Sequence, residues 1–235
     1  AAKKLKFPCI LKTCTLGYDG KGQIILRSEK DLEPAWKQLG KDELILEGFV
    51  KFEHEVSLVC ARSTSGEMKF YSLVENQHEG GILRTTIAPL NVSKANSKKL
   101  QTQAEKVARS LFKSFDYVGV MTIEFFLVKG KLLVNEVATR VHNSGHWTIE
   151  GAHTSQFENH VRAILGMPLG STALNSPTAM INILGKFPDP KKVLSIEDAH
   201  FHHYGKTEAP GRKIGHITVR AKTRADLFKK IKKIK

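Results

Sequence analysis

The sequence predicts an α+β fold, and three features predict it. Apolar runs at Val118–Val128 and Leu132–Val137 flank a Lys129-Gly130 turn, as the arms of a β-hairpin do. Just ahead of them Leu100, Ala104, Val107, Ala108, Leu111 and Phe112 recur at helical spacing, which predicts a core-facing helix over Ser97–Phe115. From Ser171 the texture changes to short β-like pieces, AMINILG, AHFHHYG and GHITVRA, cut by prolines and glycines. Ser171–Lys235 therefore reads as a small β-rich C-terminal domain, with Ala209–His216 (APGRKIGH) as its most basic turn. At 235 residues the chain has room for one large domain or two small ones.

Taken in order, Phe7–Thr13 reads as a strand ending in an outward Lys12. GYDGKGQ (Gly17–Gln23) follows, then a second strand at Ile24–Arg27. Three glycines in these seven residues let backbone N–H groups come close to a phosphate. No Gly-Lys-Ser/Thr opens a helix there, so this is not a Walker loop. A plain glycine-rich hairpin is the alternative, and Lys12, five residues ahead, favours phosphate. A helix over Leu32–Leu39 is entered from Ser28 or Asp31, with Pro34 in its first turn. Leu44–Val50 begins as a strand, Phe52–Arg62 alternates as a strand does, and Met68–Val74 is its expected partner across Ser65-Gly66. ENQHEGGILRTTIAP leads into the long helix. Thr154 or Ser155 caps a helix carrying Phe157, Val161, Ile164 and Leu165, which Gly166 ends.

The hairpin carries one acid in each arm, Glu124 and Glu136. A two-residue turn at Lys129-Gly130 would put them on opposite faces. A three-residue loop over Lys129–Lys131, or an equivalent bulge, would set them directly opposite one another, and we expect them to share a face. Like charges facing across a ladder repel, so that register implies a cation between them. Oxygen-only ligation, with Asn135 adjacent, suits Mg²⁺; the alternative is two solvated acids on an edge hairpin. Beyond the hairpin, Arg140, His142, Asn143, Ser144, His146 and Trp147 crowd an irregular segment, where chemistry tends to sit. The Ser-Gly between His142 and His146 argues against a helical zinc pair, and the HFHH run at His200–His203 has no neighbouring acid or cysteine to complete a ligand set.

The formal charge is +14, part of it in LFKKIKKIK at the end, read here as a solvated, frayed tail. Such a tail can also bind nucleic acid or an anionic membrane. The rest of the charge is diffuse, as suits an enzyme of phosphorylated substrates. Three cysteines without metal-type spacing, no signal peptide and no membrane-length run lead us to expect a reduced, cytoplasmic setting. The first residue is Ala and the first strand follows almost at once, from which we expect a chain whose beginning is not represented.

In fixed order the sequence holds KT…GYDGKGQ, EGFV…FEHE, ENQH, the E…NE hairpin and RVHNSGHW. This order resembles the ATP-grasp ligases. NSGHWTIEGAHTSQFENH and PGRKIGHIT are similar to the N5-carboxyaminoimidazole ribonucleotide synthase family, ATP-dependent carboxylases of purine biosynthesis, and the likeness runs from Phe7 to about Arg220. It implies an ATP-grasp fold of two α+β subdomains clasping ATP (1–47, partial, and 48–170) ahead of the C-terminal domain. It implies that Lys12, Gly17, Tyr18, Asp19, Gly20, Lys21, Gly22 and Gln23 hold ATP phosphates, that Glu47, Gly48, Phe49 and Val50 line the adenine, that Glu55 takes the ribose, and that His78 lies near the nucleotide. Glu124 and Glu136, with Asn135, would hold Mg²⁺ (or Mn²⁺). Tyr18, Asp19 and Lys21 would reach aminoimidazole ribonucleotide, with Lys206, Arg212 and Lys213 on its phosphate. Arg140, His142 and Asn143, with Lys21, would surround bicarbonate and the carboxyphosphate formed from it. A homodimer in the cytoplasm, with no nucleic-acid or membrane partner, is the family expectation. Thr139 stands where the family usually has Pro, Ala209 where it has Arg, and the family's N-terminal domain has no counterpart in this sequence. The competing readings are another ATP-grasp carboxylase or ligase, and a non-catalytic basic domain binding nucleic acid through the tail.

Overall fold

The computed structural model describes residues 2–15 and 21–234, so the expectations for Gly17, Tyr18, Asp19 and Gly20 lie outside the described residues. In chain order the elements are α1 (Ala2–Leu5), β1 (Cys9–Thr13), β2 (Gln23–Leu26), α2 (Leu32–Leu39), β3 (Leu44–Gly48), β4 (His54–Arg62), β5 (Met68–Phe70), β6 (Val74–Glu79), β7 (Ile82–Ala88), α3 (Lys94–Phe115), β8 (Gly119–Val128), β9 (Lys131–Ala138), α4 (Thr148–Gly151), α5 (Gln156–Ile164), β10 (Thr178–Leu184), α6 (Pro190–Leu194), β11 (Ala199–His203), β12 (Lys213–Arg220) and α7 (Arg224–Ile234). Contacts group them into two units, Ala1–Lys51 with His78–Ile82, and Phe52–Gln77 with Leu83–Lys235. The mixture of helix and sheet is the α+β class the sequence predicts.

The first unit is built on an antiparallel sheet of order β2-β1-β3. Cys9, Leu26 and Ala35 form its small core. Ser28 and Asp31 both act at the start of α2, as expected. The Asp31 carboxylate accepts the N–H groups of Arg27 (2.7 Å) and Ser28 (2.8 Å), and these bonds hold its pKa below the usual carboxylate range.

In the second unit a nine-stranded sheet runs β11-β12-β10-β7-β6-β4-β8-β9, with β5 paired to β4. Strand alternation gives the sheet two distinct faces. On one, Val56, Leu58, Cys60, Met121, Ile123, Phe125 and Leu127 pack with Leu100, Ala104, Ala108 and Phe112 of α3. The other buries Val59, Ala61, Val120 and Met180 with Trp147, Ala152 and Ala163 from the segment between β9 and β10. Partners in an antiparallel ladder share a face. Glu136, Glu124 and Ser57 therefore fall on this second face, and so do Asn182, His216 and His202. A polar row thus lies on the same side as the Trp147 core.

Several elements differ from expectation. ENQHEGG is not a lead-in but the β6–β7 hairpin, whose Gly80 and Gly81 take positive φ (58° and 79°). The strand after Gly66 ends at Phe70, and Val74 opens β6. α3 begins at Lys94, three residues early, because Ser93 caps it. The lysine-rich run over residues 227–234 is not frayed. It belongs to α7, whose Leu227, Ile231 and Ile234 recur at i, i+4 and i+7 and are buried with Ile181, Ile217 and Val219. The strands of 171–235 also extend the main sheet, since β10 pairs with β7 from Thr178↔Ala88 to Ile181↔Thr85. Among the described residues no helix is long and apolar enough to cross a membrane.

Candidate active site

The β8–β9 hairpin closes through a two-residue turn. Val128 pairs with Lys131, and Lys129 and Gly130 both have positive φ (48° and 72°). Unaltered, that turn would send Glu124 and Glu136 to opposite faces. A register shift between Glu124 and Phe125 prevents it: Phe125 pairs with Val134, but Glu124 pairs with Glu136, leaving Asn135 as the extra residue of a bulge. The two carboxylates therefore face each other across the ladder, with an amide beside them. Opposed like charges favour a cation, and the donors are all oxygen, so the residues present fit Mg²⁺.

The segment after β9 reaches back over this face. His142 places Nε2 3.7 Å from Oε1 of Glu124. Its Nδ1 accepts the backbone N–H of Ser144 (3.3 Å) and lies 2.8 Å from the Ser144 hydroxyl. With Nδ1 accepting, the neutral ring carries its proton on Nε2, the nitrogen directed at Glu124. Asn143 and Asn182 on β10 exchange a reciprocal pair of amide hydrogen bonds (3.0 and 2.6 Å), and Asn182 also donates to the Leu83 carbonyl (2.7 Å). Arg140 is exposed and donates to the Val141 carbonyl (3.1 Å). The Tyr117 hydroxyl donates to the carbonyl of Thr139, the residue before it (2.9 Å). Carboxylates, imidazole and carboxamide thus converge at one end of the polar row.

Further along that row stand the histidines. His202 stacks on His216 (4.2 Å between centroids), and His146 lies 5.0 Å from His216. Glu150 anchors the stack, accepting from His202 Nε2 (2.9 Å) and from the Thr218 hydroxyl. The acid that the HFHH run lacks in sequence therefore arrives from 52 residues away. Burial, then the charges of His202 and Lys213, pushes the pKa of His146 down to about 4. Burial, then its histidine neighbours, pushes that of His216 lower still. Burial alone would raise Glu150, but the bonds from His202 and Thr218 hold it below its usual value. Among the described residues no group of three or more histidine, cysteine and acid side chains has metal-holding geometry.

Lys206, Arg212 and Lys213 lie around the β11–β12 connection. Lys206 Nζ is 5.6 Å from the Tyr204 ring centroid, Arg212 donates to the Thr207 hydroxyl (3.1 Å), and Lys213 opens β12. Tyr204 in turn meets His216 Nδ1 (2.7 Å). Glu55 lies on β4, paired with Phe126 and Asn76. In the first unit Lys12 and Glu47 form a 2.6 Å ion pair between neighbouring strands β1 and β3. Gln23 pairs with Lys12, and Gly22 accepts the Thr13 N–H (2.8 Å) with φ 76°. Gly48 ends β3, Phe49 is exposed, Val50 follows, and Lys21 and His78 belong to the same unit.

Residues 1–157 match the family model of the ATP-grasp domain. The chain belongs to the ATP-grasp family. Residues 178–230 match a second model, the phosphoribosylaminoimidazole carboxylase C-terminal domain, beyond the ATP-grasp part. The chain is 50% identical over 234 residues to N5-carboxyaminoimidazole ribonucleotide synthase of Pseudomonas aeruginosa, covering 100% of this chain and 63% of that protein. It is similar to the crystal structure of N5-carboxyaminoimidazole ribonucleotide synthetase from Thermus thermophilus, with TM-score 0.90 and 50% identity over 99% of this chain and 62% of that one. It is also similar to the Aspergillus clavatus synthase solved with ADP and 5-aminoimidazole ribonucleotide, with TM-score 0.89 and 35% identity over 99% of this chain and 62% of that one. The chain spans about three-fifths of the length of the curated relatives it matches.

Around the ATP-grasp hairpin, sequence reading missed Ser57, Asn76, Asn182 and Gln156, all buried. Asn76 donates to the Ser57 hydroxyl and accepts from Thr86 (2.9 Å), beside the ladder position of Glu124. One signal was available: polar residues at alternate positions of otherwise apolar strands. It cannot be told from solvent-facing alternation until the covering segment is in place.

Proposed function

We propose that the chain is the nucleotide- and substrate-bearing part of an ATP-dependent carbon–nitrogen ligase that carboxylates 5-aminoimidazole ribonucleotide with bicarbonate. The products are N5-carboxyaminoimidazole ribonucleotide, ADP and phosphate. The observation that carries this reading is the opposition of Glu124 and Glu136 at the Asn135 bulge, with His142 at 3.7 Å from Glu124. The chain's parts on this reading are an ATP-grasp small subdomain (1–47), a large subdomain (48–170) and the C-terminal domain (171–235), in a cytoplasmic homodimer.

A bicarbonate oxygen attacks the γ-phosphorus of ATP, giving ADP and carboxyphosphate. The substrate amine then attacks the carboxyl carbon, phosphate departs, and the amine loses a proton. Phosphoryl transfer needs positioning and charge neutralisation more than covalent help. Glu124 and Glu136, with Asn135, would hold Mg²⁺ (or Mn²⁺), which when bound neutralises phosphate charge. Lys12, Lys21, Gly22 and Gln23, with Gly17, Tyr18, Asp19 and Gly20, take the phosphate contacts. Glu47, Gly48, Phe49, Val50, Glu55 and His78 take the nucleoside. Arg140 grips the planar carboxylate of bicarbonate. Asn143, held rigid by Asn182, and His142, with its proton on Nε2, donate to the reacting carboxyl group, and the departing phosphate takes the proton of the capturing amine. Tyr18, Asp19 and Lys21 meet the aminoimidazole ribonucleotide, and Lys206, Arg212 and Lys213 its phosphate, without the arginine that the family has in place of Ala209.

Isotope trapping tests the reading. ATP turnover that requires both bicarbonate and aminoimidazole ribonucleotide supports it; turnover that follows a different amine or acid transfers the chain to another ATP-grasp ligase. Packing disfavours the nucleic-acid reading. α7 buries one face in the core, and Lys230 is spent on the Glu197 and Arg220 carbonyls (2.8 and 3.0 Å).

A further inference from the structure

We propose that Gln156 is the positioning residue of this site. It clamps the main chain of His142 so that the imidazole stands beside Glu124, a role that rests, for its catalytic meaning, on the carboxylase reading above. Gln156 is the first residue of α5, directly after the Ser155 cap, and is 0% exposed. Its Oε1 accepts the His142 N–H (3.0 Å), while its Nε2 donates to the His142 carbonyl (2.7 Å) and to His146 Nδ1 (3.0 Å). A glutamine amide offers one carbonyl oxygen and two N–H bonds, and all are engaged. The main-chain N–H and C=O of one residue leave no doubt which end of the amide is oxygen. The side chain thus pairs with residue 142 as a neighbouring strand would. Its own backbone N–H donates to the Thr148 hydroxyl (2.9 Å), which donates to the Gly145 carbonyl (2.6 Å) and closes a ring of bonds around the 142–148 segment.

A second observation is independent of those bonds. A Cβ on Gly145 would collide with Oε1, Cδ and Nε2 of Gln156. Gly145 has no positive φ to explain it, so the glycine of the HNSGHW run serves close approach: it admits the clamp. Held at both main-chain polar groups, His142 can turn only about its side-chain bonds. The Ser144 N–H then fixes the ring with Nε2 toward Glu124. Positioning of this kind controls rate more than affinity, because a misplacement of about 1 Å costs on the order of 100-fold.

Amide hydrogen exchange by NMR on the ligand-free chain and steady-state kinetics of the protein test this together, with Q156M (similar length, no donor or acceptor) and Q156E (acceptor kept, both donations lost). In Q156M the His142 amide is expected to exchange at least ~10-fold faster while β4 and β8 amides are unchanged, with kcat down ~100-fold and KM for ATP within ~2-fold. Q156E should keep the His142 amide protected and lose less rate. In an H142A background Q156M should have no further effect, since Gln156 acts through His142. G145A should reproduce the Q156M exchange pattern and stands in if Q156M does not fold. Unchanged exchange at His142 in these variants, or an undiminished Q156M effect on H142A, overturns the proposal. A parent protein without bicarbonate-dependent ATP turnover overturns the carboxylase reading instead, and the exchange measurement then decides the role of Gln156 alone.

Discussion

Glu124 and Glu136 repel across their ladder in the absence of a cation, and neutralising one should relieve that repulsion. Glu136→Gln is therefore expected to raise Tm slightly without ligand and to abolish the stabilisation that Mg²⁺ with ATP gives the parent. Thermal melts with and without Mg·ATP check both signs; an undiminished Mg·ATP shift in the variant would remove the metal site. His146 and His216 set a second test. Both have pKa values lowered by folding, so the unfolded chain binds protons first as pH falls. Their neutral stacking is uncompromised above about pH 6.5, and stability drains away between there and about 4, by at most ~1.4 kcal/mol per pH unit for each ring. His202, Lys213 and Glu150 face the stack, and replacing His216 leaves all three in place. His216→Phe should therefore flatten the slope of stability against pH in this window, and an unaltered slope would contradict the assignment.

At the scale of elements, the hairpin turn is strained at one position. Lys129 sits at φ 48° where two-residue turns favour Asn before Gly, and its backbone N–H donates to Glu53 (2.6 Å), a bond that any side chain leaves intact. Lys129→Asn should stabilise the protein by about 0.5–1 kcal/mol, seen as a Tm rise of about 1–4 °C; a fall would show that Lys129 contributes more than its backbone. The turn itself was legible in Lys129-Gly130, and so were the arms. A bulge was one of the two ways to set the acids on one face, but its place was not legible, because Asn135 leaves the ladder only through the register set by pairing of β8 with both β4 and β9. Helix α3 was legible from its stripe to within a few residues. The β6–β7 hairpin escaped notice because ENQHEGG holds no alternating apolar run.

For the molecule as a whole, α7 decides whether the lysine-rich end is tail or core. Leu227 is 0% exposed and packs in the cluster formed by β10, β12 and α6. Leu227→Ala should cost about 2–5 kcal/mol in chemical denaturation, a cavity effect no frayed tail would show. The sequence alone determined the class of elements, the likeness to ATP-grasp ligases and most residue types at the site, because alternation, glycine loops and acid-bearing hairpins are local patterns. Tertiary structure decided which of those residues meet. It set Glu124 against Glu136 through a bulge, brought Glu150 to His202 and Asn182 to Asn143, buried Gln156 against Gly145 and folded the basic end into the core. Burial and cross-strand register depend on pairing between distant segments, and no local pattern encodes them.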